Sequence, residues 1–449
     1  MKNYQNIIIV FILTFSIYSC ELVNVTDIEA QDVLTEETAI TDQIGAELAL
    51  AGTYSTLNDG NLAVTGINIY PFYIDTDPKG SSNGYSTNNV DSENGTIALV
   101  YSSYYNLINR ANYVINIVPE LEDNLFEPGK KNHIVAEAKF LRSVMSLYLL
   151  RRFGQFWDLE SPYGIVLREK QASTLEVLPR SSVQASYDFI LSDLDYAIEN
   201  LPASNVSYHA NKFAAKGLKS RVLLYMGKFS EAATLANDVI LNSGFTLENT
   251  FAEVFENEFN SSEVLFSNIH SDTEYNGTSV GWWLYLSLSE YYVNFATSQG
   301  DTRLDIVNFE HPTRGYLNGK APFFFDGATN YYLRLPEVYL IYAEALARSN
   351  GSLIDVAAAV NTVRNRAGLL NTTASTREEL IEAIRVEKFL ELVAEEQEPW
   401  FDLVRYADLD GFDISTIKPL VTSKNQYILP IPFNSVTTSN NVVEQNPGY

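Results

Sequence analysis

The stretch Tyr331–Arg366, YYLRLPEVYLIYAEALARSNGSLIDVAAAVNTVRNR, decides how the rest of the chain is read. Leu335, Val338, Tyr339, Tyr342, Ala345 and Leu346 recur at the three- and four-residue spacings that stripe one helix face. Ser349-Asn350-Gly351-Ser352 interrupts the stripe, and Gly351 suits the left-handed backbone that ends a helix. Val356, Ala359, Val360 and Val363 resume it in a second helix. Ala343, Ala345, Ala347, Ala357, Ala358 and Ala359 let the two backbones approach closely, as stacked helical hairpins require. A helix pair in any all-α core would read the same way.

The neighbouring segments carry the same rhythm. In Ala214–Ile240, Gly227-Lys228-Phe229-Ser230-Glu231-Ala232 with Ala236 resembles the glycine, aromatic and alanine core of a tetratricopeptide repeat. Further helices are predicted over 41–57, with Thr41 or Asp42 as N-cap, and over 97–118, 131–153 and 183–200, the last capped by Ser181 or Ser182. A long helix over 377–406 is broken by Pro399. Arg142, Arg151 and Arg152 read as helix-surface charges favoured near a C-terminus. The fold class is therefore mainly α: a tetratricopeptide-like helical-repeat scaffold over about 41–57, 97–250 and 331–410.

Two stretches break the rhythm. Residues 58–96 are rich in Asn, Gly, Ser and Asp, with Tyr70, Phe72, Tyr73 and Tyr85 set among Asp75, Asp77, Asn88 and Asn89. A sugar is recognised in this way, a ring stacking on the C–H face of a pyranose while amides and carboxylates orient its hydroxyls. An ordered surface loop has the same composition. Residues 251–330 form a loop-rich, partly β insertion, with a short strand at Glu263–Ile269, then Trp282, Trp283, Tyr285, Tyr316 and Phe323–Phe325. Asp301 and Arg303 read as a structural pair. The candidate ligand-binding residues are Tyr73, Asp75, Tyr85, Asn88, Trp282, Trp283, Tyr285 and Tyr316.

Composition narrows the chemistry. A formal net charge of −26 disfavours nucleic acid, whose phosphates need a basic patch. His133, His209, His270 and His311 show no metal-ligand spacing, and no metal or other cofactor is expected. Glu391, Glu395, Glu396, Glu398 and Asp402 are neighbours on a charged helix, free to pair with Arg385, Lys388 or Arg405. They do not face one another across a substrate as a glycosidase pair must. No catalytic residue is assigned. Met1-Lys2-Asn3 followed by apolar Ile7–Ile17 reads as a secretory signal, and Ser19-Cys20 resembles a bacterial lipobox. Residues 1–19 are then a removed signal peptide, Cys20 the lipid-bearing residue, 20–40 a leash and 41–449 one globular domain.

Several phrases together resemble one family. RLPEVYLIYAEALA with VNTVRNRAG, AEAKFLRS with YLLRRFG, WFDLVR, ILPIP and the terminal QNPGY are similar to signatures of the SusD/RagB family. In place of the Gly-Gln-Arg usual before the tryptophan, this chain carries Glu396-Gln397-Glu398-Pro399. The resemblance implies a non-enzymatic, outer-membrane, surface-exposed lipoprotein. It would bind an oligosaccharide and deliver it to a SusC-like TonB-dependent transporter, held to outer-membrane lipid through acylated Cys20. A RagB-like peptide binder, a repeat scaffold for a protein partner alone, and an outer-membrane hydrolase are the competing readings.

Overall fold

Helix α1 (Gln43–Ser55) starts where the Asp42 carboxylate accepts from the Gly45 N–H, so Asp42 rather than Thr41 is the cap. The computed structural model describes residues 39–58, 84, 88–172, 176–204, 206–270, 288–312, 315–320, 327–395 and 398–449. One compact body runs from Asp42 to Tyr449. After α1 come α2 (Gly95–Ile117), α3 (Lys130–Phe153), α4 (Val183–Asn200), α5 (Lys212–Tyr225), α6 (Phe229–Asn242) and the short α7 (Phe251–Asn257). The insertion holds β1 (Val264–Ser267), α8 (Glu290–Ser298), α9 (Leu304–Val307), β2 (Asn308–His311) and β3 (Gly315–Asn318). The chain returns to the scaffold through β4 (Tyr331–Arg334), α10 (Leu335–Arg348), α11 (Leu353–Arg366), α12 (Arg377–Glu391) and α13 (Glu398–Asp410), and α14 (Phe433–Thr438) lies near the C-terminus.

Successive helices pack on one another, from α1 through α6, then α6 on α10 and α10 on α11 and α12. This is the helical-repeat scaffold that the spacing predicts. Gly227 takes φ +71° in the turn between α5 and α6, where a left-handed residue lets the second helix fold back. α10 and α11 close on a core of Ala343, Ala347, Val356, Ala359, Val360, Leu380 and Ile384. β1 pairs antiparallel with β4, joining Val264 to Arg334 and Ser267 to Tyr331, and β2 pairs with β3 as a hairpin.

Several expectations are corrected. Tyr331–Arg334 is a strand, with α10 starting only at Leu335 and Pro336 in its first turn. Asn350, at φ 61°, supplies the left-handed residue after α10. Gly351 is needed for space instead, since a Cβ there would lie 2.1 Å from Leu346 Cδ1. Burial on α10 extends beyond the apolar stripe: Glu337 and Glu344, on the face opposite the tyrosines, are buried too. Arg142, Arg151 and Arg152 are not surface charges. Arg142 forks onto Asp193 at 2.6 and 2.7 Å, Arg151 pairs with Glu398, and Arg152 lies 5.0 Å from the Tyr148 ring centre and 5.7 Å from that of Phe401. Buried arginines are stable only with such partners.

Candidate binding site

The stretches that break the helical rhythm are attached to the body at one cluster of asparagines. Asn58, the last described residue before 59–83, donates from Nδ2 to the Ile269 carbonyl at 2.7 Å. Its Oδ1 accepts from Asn268 Nδ2 at 2.6 Å. Asn268 Oδ1 in turn accepts from the Asn330 N–H at 2.6 Å, just after the 321–326 segment. His270, immediately before 271–287, lies 3.1 Å from both Glu258 Oε2 and Thr329 Oγ1. The flanks of three segments far apart in sequence are thus held by one hydrogen-bonded hub. Asn268 is 2 % exposed, so leaving its carboxamide unpaired would be costly.

The far flank of the first segment has its own anchor. Asn88, at φ 52°, is buried, its Nδ2 donating to the Gln426 carbonyl at 3.1 Å and its Oδ1 accepting from the Lys418 ammonium. Lys418 has no carboxylate partner among the described residues and faces the Trp400 ring at 5.6 Å. Burial pushes its amine down to about 7. Ser92 accepts from the Phe433 N–H at 2.9 Å, tying this flank to α14.

A buried ionic network holds the insertion to α11 and α12. Arg303, Lys320, Arg334, Arg364 and Arg366 face Glu263, Asp301, Glu387, Glu391 and Glu395, five cations against five carboxylates. Arg334 alone reaches Glu263 at 2.5 Å, Glu391 at 3.0 Å and Glu395 at 2.6 Å. Burial would raise the Glu391 carboxyl, yet Arg366, Arg334 and Arg303 hold it far below the usual carboxylate range. The expected Asp301–Arg303 pair is present at 2.7 Å. The carboxylates of the charged helices are likewise consumed by cations: Asp402 by Lys388 and Arg405, Glu398 by Arg151. Arg385 pairs with Glu382 instead.

A second polar cluster joins α1, α3 and the approach to α5. Glu137 accepts from the Tyr54 hydroxyl at 2.5 Å, and its two oxygens each lie 3.2 Å from a histidine nitrogen, Nε2 of His133 and Nδ1 of His209. Burial would raise this carboxyl, but hydrogen bonds with His133, His209 and Tyr54 outweigh it and hold it at about 2. Histidines distant in sequence therefore share one carboxylate.

Of the candidate ligand-binding residues, Asn88 is placed at the anchor just described, with its carboxamide turned inward. Tyr73, Asp75, Tyr85, Trp282, Trp283 and Tyr285 lie outside the described residues, as does the side chain of Tyr316, whose backbone pairs with Glu310 in the β2–β3 hairpin. Sequence reading missed Asn58, Asn268, Asn330 and Lys418, which carry no periodic signal. Among the described residues no group of His, Cys, Asp or Glu is arranged to hold a metal ion.

Frame and hub together define a class: a helical-repeat protein that presents long inserted segments from a rigid, ionically locked base. Two family models match the chain and together span well over half of it, the SusD family over residues 325–418 and "starch-binding associating with outer membrane", a SusD-like family, over 27–224. A SusD-like protein of Bacteroides ovatus is 24% identical over 365 residues, 68% of this chain and 65% of the relative. SusD-like protein P2 of Formosa agariphila is 24% identical along the full length of both chains. A solved structure described as a laminarin binding SusD-like protein superposes with a TM-score of 0.74 at 22% identity, covering 91% of this chain and all of the other. The chain belongs to the SusD family.

Proposed function

We propose that this protein binds a glycan outside the cell and delivers it to a SusC-like TonB-dependent transporter of the outer membrane, acting by capture rather than by catalysis. The observation that carries the reading is the hub. Asn58, Asn268 and Asn330 bring the flanks of the aromatic, amide-rich segments to one place on the helical frame. Segments gathered on a rigid base can form a single recognition surface, with stacking and hydrogen bonds supplying affinity. A match to a starch-binding, outer-membrane family and the likeness to a laminarin binding protein favour a glycan as the ligand class. The pairing of every carboxylate of the ionic network with a cation speaks against a free acid–base pair there. We further propose that residues 1–19 are a signal peptide and that acylated Cys20 tethers the protein to the membrane.

Calorimetric titration of the chain lacking residues 1–20 against oligosaccharide and peptide panels tests this. Saturable binding to one glycan, abolished in a Trp282→Ala/Trp283→Ala variant, is the expected result. Binding to peptides alone would replace the glycan reading with a RagB-like one. Silence in both panels would leave a protein-binding scaffold.

A further inference from the structure

A cleft lies away from the asparagine hub, between α2, the extended segment 166–172 and the C-terminal region. One corner is strapped by asparagines spaced along α2. Asn109 Oδ1 accepts from the Ala172 N–H at 2.7 Å, Asn112 donates to the Arg168 and Lys170 carbonyls at 3.0 and 3.1 Å, and Asn116 donates to that of Glu169 at 3.2 Å. The opposite wall, α14 and the residues after it, is fixed by Arg180, which donates to the Phe153, Gly164 and Glu444 carbonyls and to Asn446 Oδ1. The cavity between them measures about 330 Å³. Ligand pockets span roughly 300–1,000 Å³, so this one has room for about one ring. Its walls are set by the fold and need not be assembled by a ligand.

The lining combines ring faces with idle hydrogen-bonding groups. Tyr101 and Tyr105 present rings whose centres are 4.9 Å apart at 58°. Among the described residues the Asn109 amide nitrogen and the Ser435 hydroxyl make no hydrogen bond, although both line the cavity. At the rim Arg168 Nη1 and Glu176 Oε2 are 3.8 Å apart, offering a donor and an acceptor with no net charge. An apolar ligand would strand the amide and the hydroxyl, and an anion would meet Glu176 on a chain of net charge −26. A neutral ring bearing several hydroxyls satisfies both requirements, its C–H face against tyrosine and its hydroxyls on Asn109, Ser435 and the rim pair.

We propose that this cleft is a second sugar site, taking a single pyranose residue and built from none of the residues of the loop hub. The proposal rests on the glycan reading above, and its test separates the two. Saturation-transfer NMR with methyl glucoside and methyl galactoside is run on the wild-type chain and on Ala172→Trp, which plugs the exposed mouth. The oligosaccharide found by calorimetry is titrated into both. The expected result is a saturable glycoside signal in the wild type, lost in Ala172→Trp, with oligosaccharide binding retained. Ser435→Ala, a milder change, is expected to weaken the glycoside by about three- to tenfold, as befits one hydrogen bond. Crystals soaked in methyl glucoside are expected to show the ring between Tyr105 and Thr438. A glycoside signal unchanged in Ala172→Trp, or absent from wild type while the oligosaccharide binds, overturns the second site and leaves glycan capture standing. Loss of all sugar binding in the wild type overturns both.

Discussion

Truncating Asn268 to alanine tests whether the hub holds the inserted segments. The side chain makes two short hydrogen bonds, to Asn58 Oδ1 at 2.6 Å and from the Asn330 N–H at 2.6 Å. Each contributes about 1 kcal/mol net, and depriving the Asn330 N–H of this acceptor costs about 1–3 kcal/mol more. The expected loss is about 3–5 kcal/mol, against the roughly 5–15 kcal/mol by which folded domains are held. Asn58→Ala removes a bond to the Ile269 carbonyl as well as the acceptor for Asn268. The two changes therefore share one bond, and the double variant falls short of additivity by about 1 kcal/mol. Urea unfolding measures the free energies, and hydrogen exchange locates them. Exchange rises around 268–270 and 327–330 while α3 and α10 stay protected, because neither helix contributes a side chain to the hub. A stability change below about 0.5 kcal/mol, or exchange that rises evenly through the helices, would refute the hub as a local clamp.

Other expected outcomes follow from the same contacts. Arg334→Met leaves Glu263, Glu391 and Glu395 short of a shared cation and costs at least about 3–5 kcal/mol in urea unfolding, partly recovered in Arg334→Met/Glu263→Gln; a loss under about 1 kcal/mol would contradict the network's role. Glu137, held at about 2 against 4.5 when unfolded, adds stability that is complete above 4.5 and lost as pH falls toward 2. Glu137→Gln therefore flattens the acid limb of stability against pH, and an unaltered limb would show that the carboxylate is not the group responsible. His209, raised by its hydrogen bond to Glu137 and lowered in part by burial, acts in the opposite sense: its contribution is complete below 6.5 and fades as pH rises through the folded value. Lys418, lowered by burial from 10.5 to about 7, makes stability rise with pH over that interval, because the unfolded chain then binds the extra proton. Lys418→Met removes that slope, and a slope that persists would point to another group. Gly227→Ala costs about 1 kcal/mol from the left-handed backbone alone, since no atom lies within 4 Å of the added methyl; a melting temperature equal to wild type would count against the turn geometry.

The frame was legible because helix packing repeats at short range. The stripe Val356, Ala359, Val360 and Val363 is wholly buried, and the glycine before Phe229 sits at the turn that its motif predicts. Periodicity reports which positions are apolar, and so it misjudged the positions where a buried residue is charged. Glu344 lies opposite the apolar stripe of α10, yet it is fully buried because Arg405 and Lys388 reach it from 61 and 44 positions away. Arg142, Arg151 and Arg152 were misread for the same reason. The site was less legible still. Its anchors are single asparagines whose partners lie 210 and 62 residues distant, a separation at which spacing carries no information.

The balance of the ionic network gives these unreadable contacts a shared logic. Moving one unpaired charge out of water costs several kcal/mol, so a buried cluster is tolerable only when complete. Arg303, on the approach to α9, Lys320 after β3, Arg334 at the start of α10 and Arg366 at the end of α11 must all arrive before Glu391 and its neighbours are neutralised. The insertion consequently cannot dock in a shifted register without leaving a carboxylate uncompensated. Hydrophobic contacts between β1 and β4 alone would tolerate a slip more readily, since the first three residues of each strand, Val264-Leu265-Phe266 and Tyr331-Tyr332-Leu333, are buried and offer apolar surface in either direction. The network thus fixes where the insertion sits, and the asparagine hub fixes where the flanks of the segments meet. Under the proposed capture role, a surface held reproducibly against a partner transporter needs both.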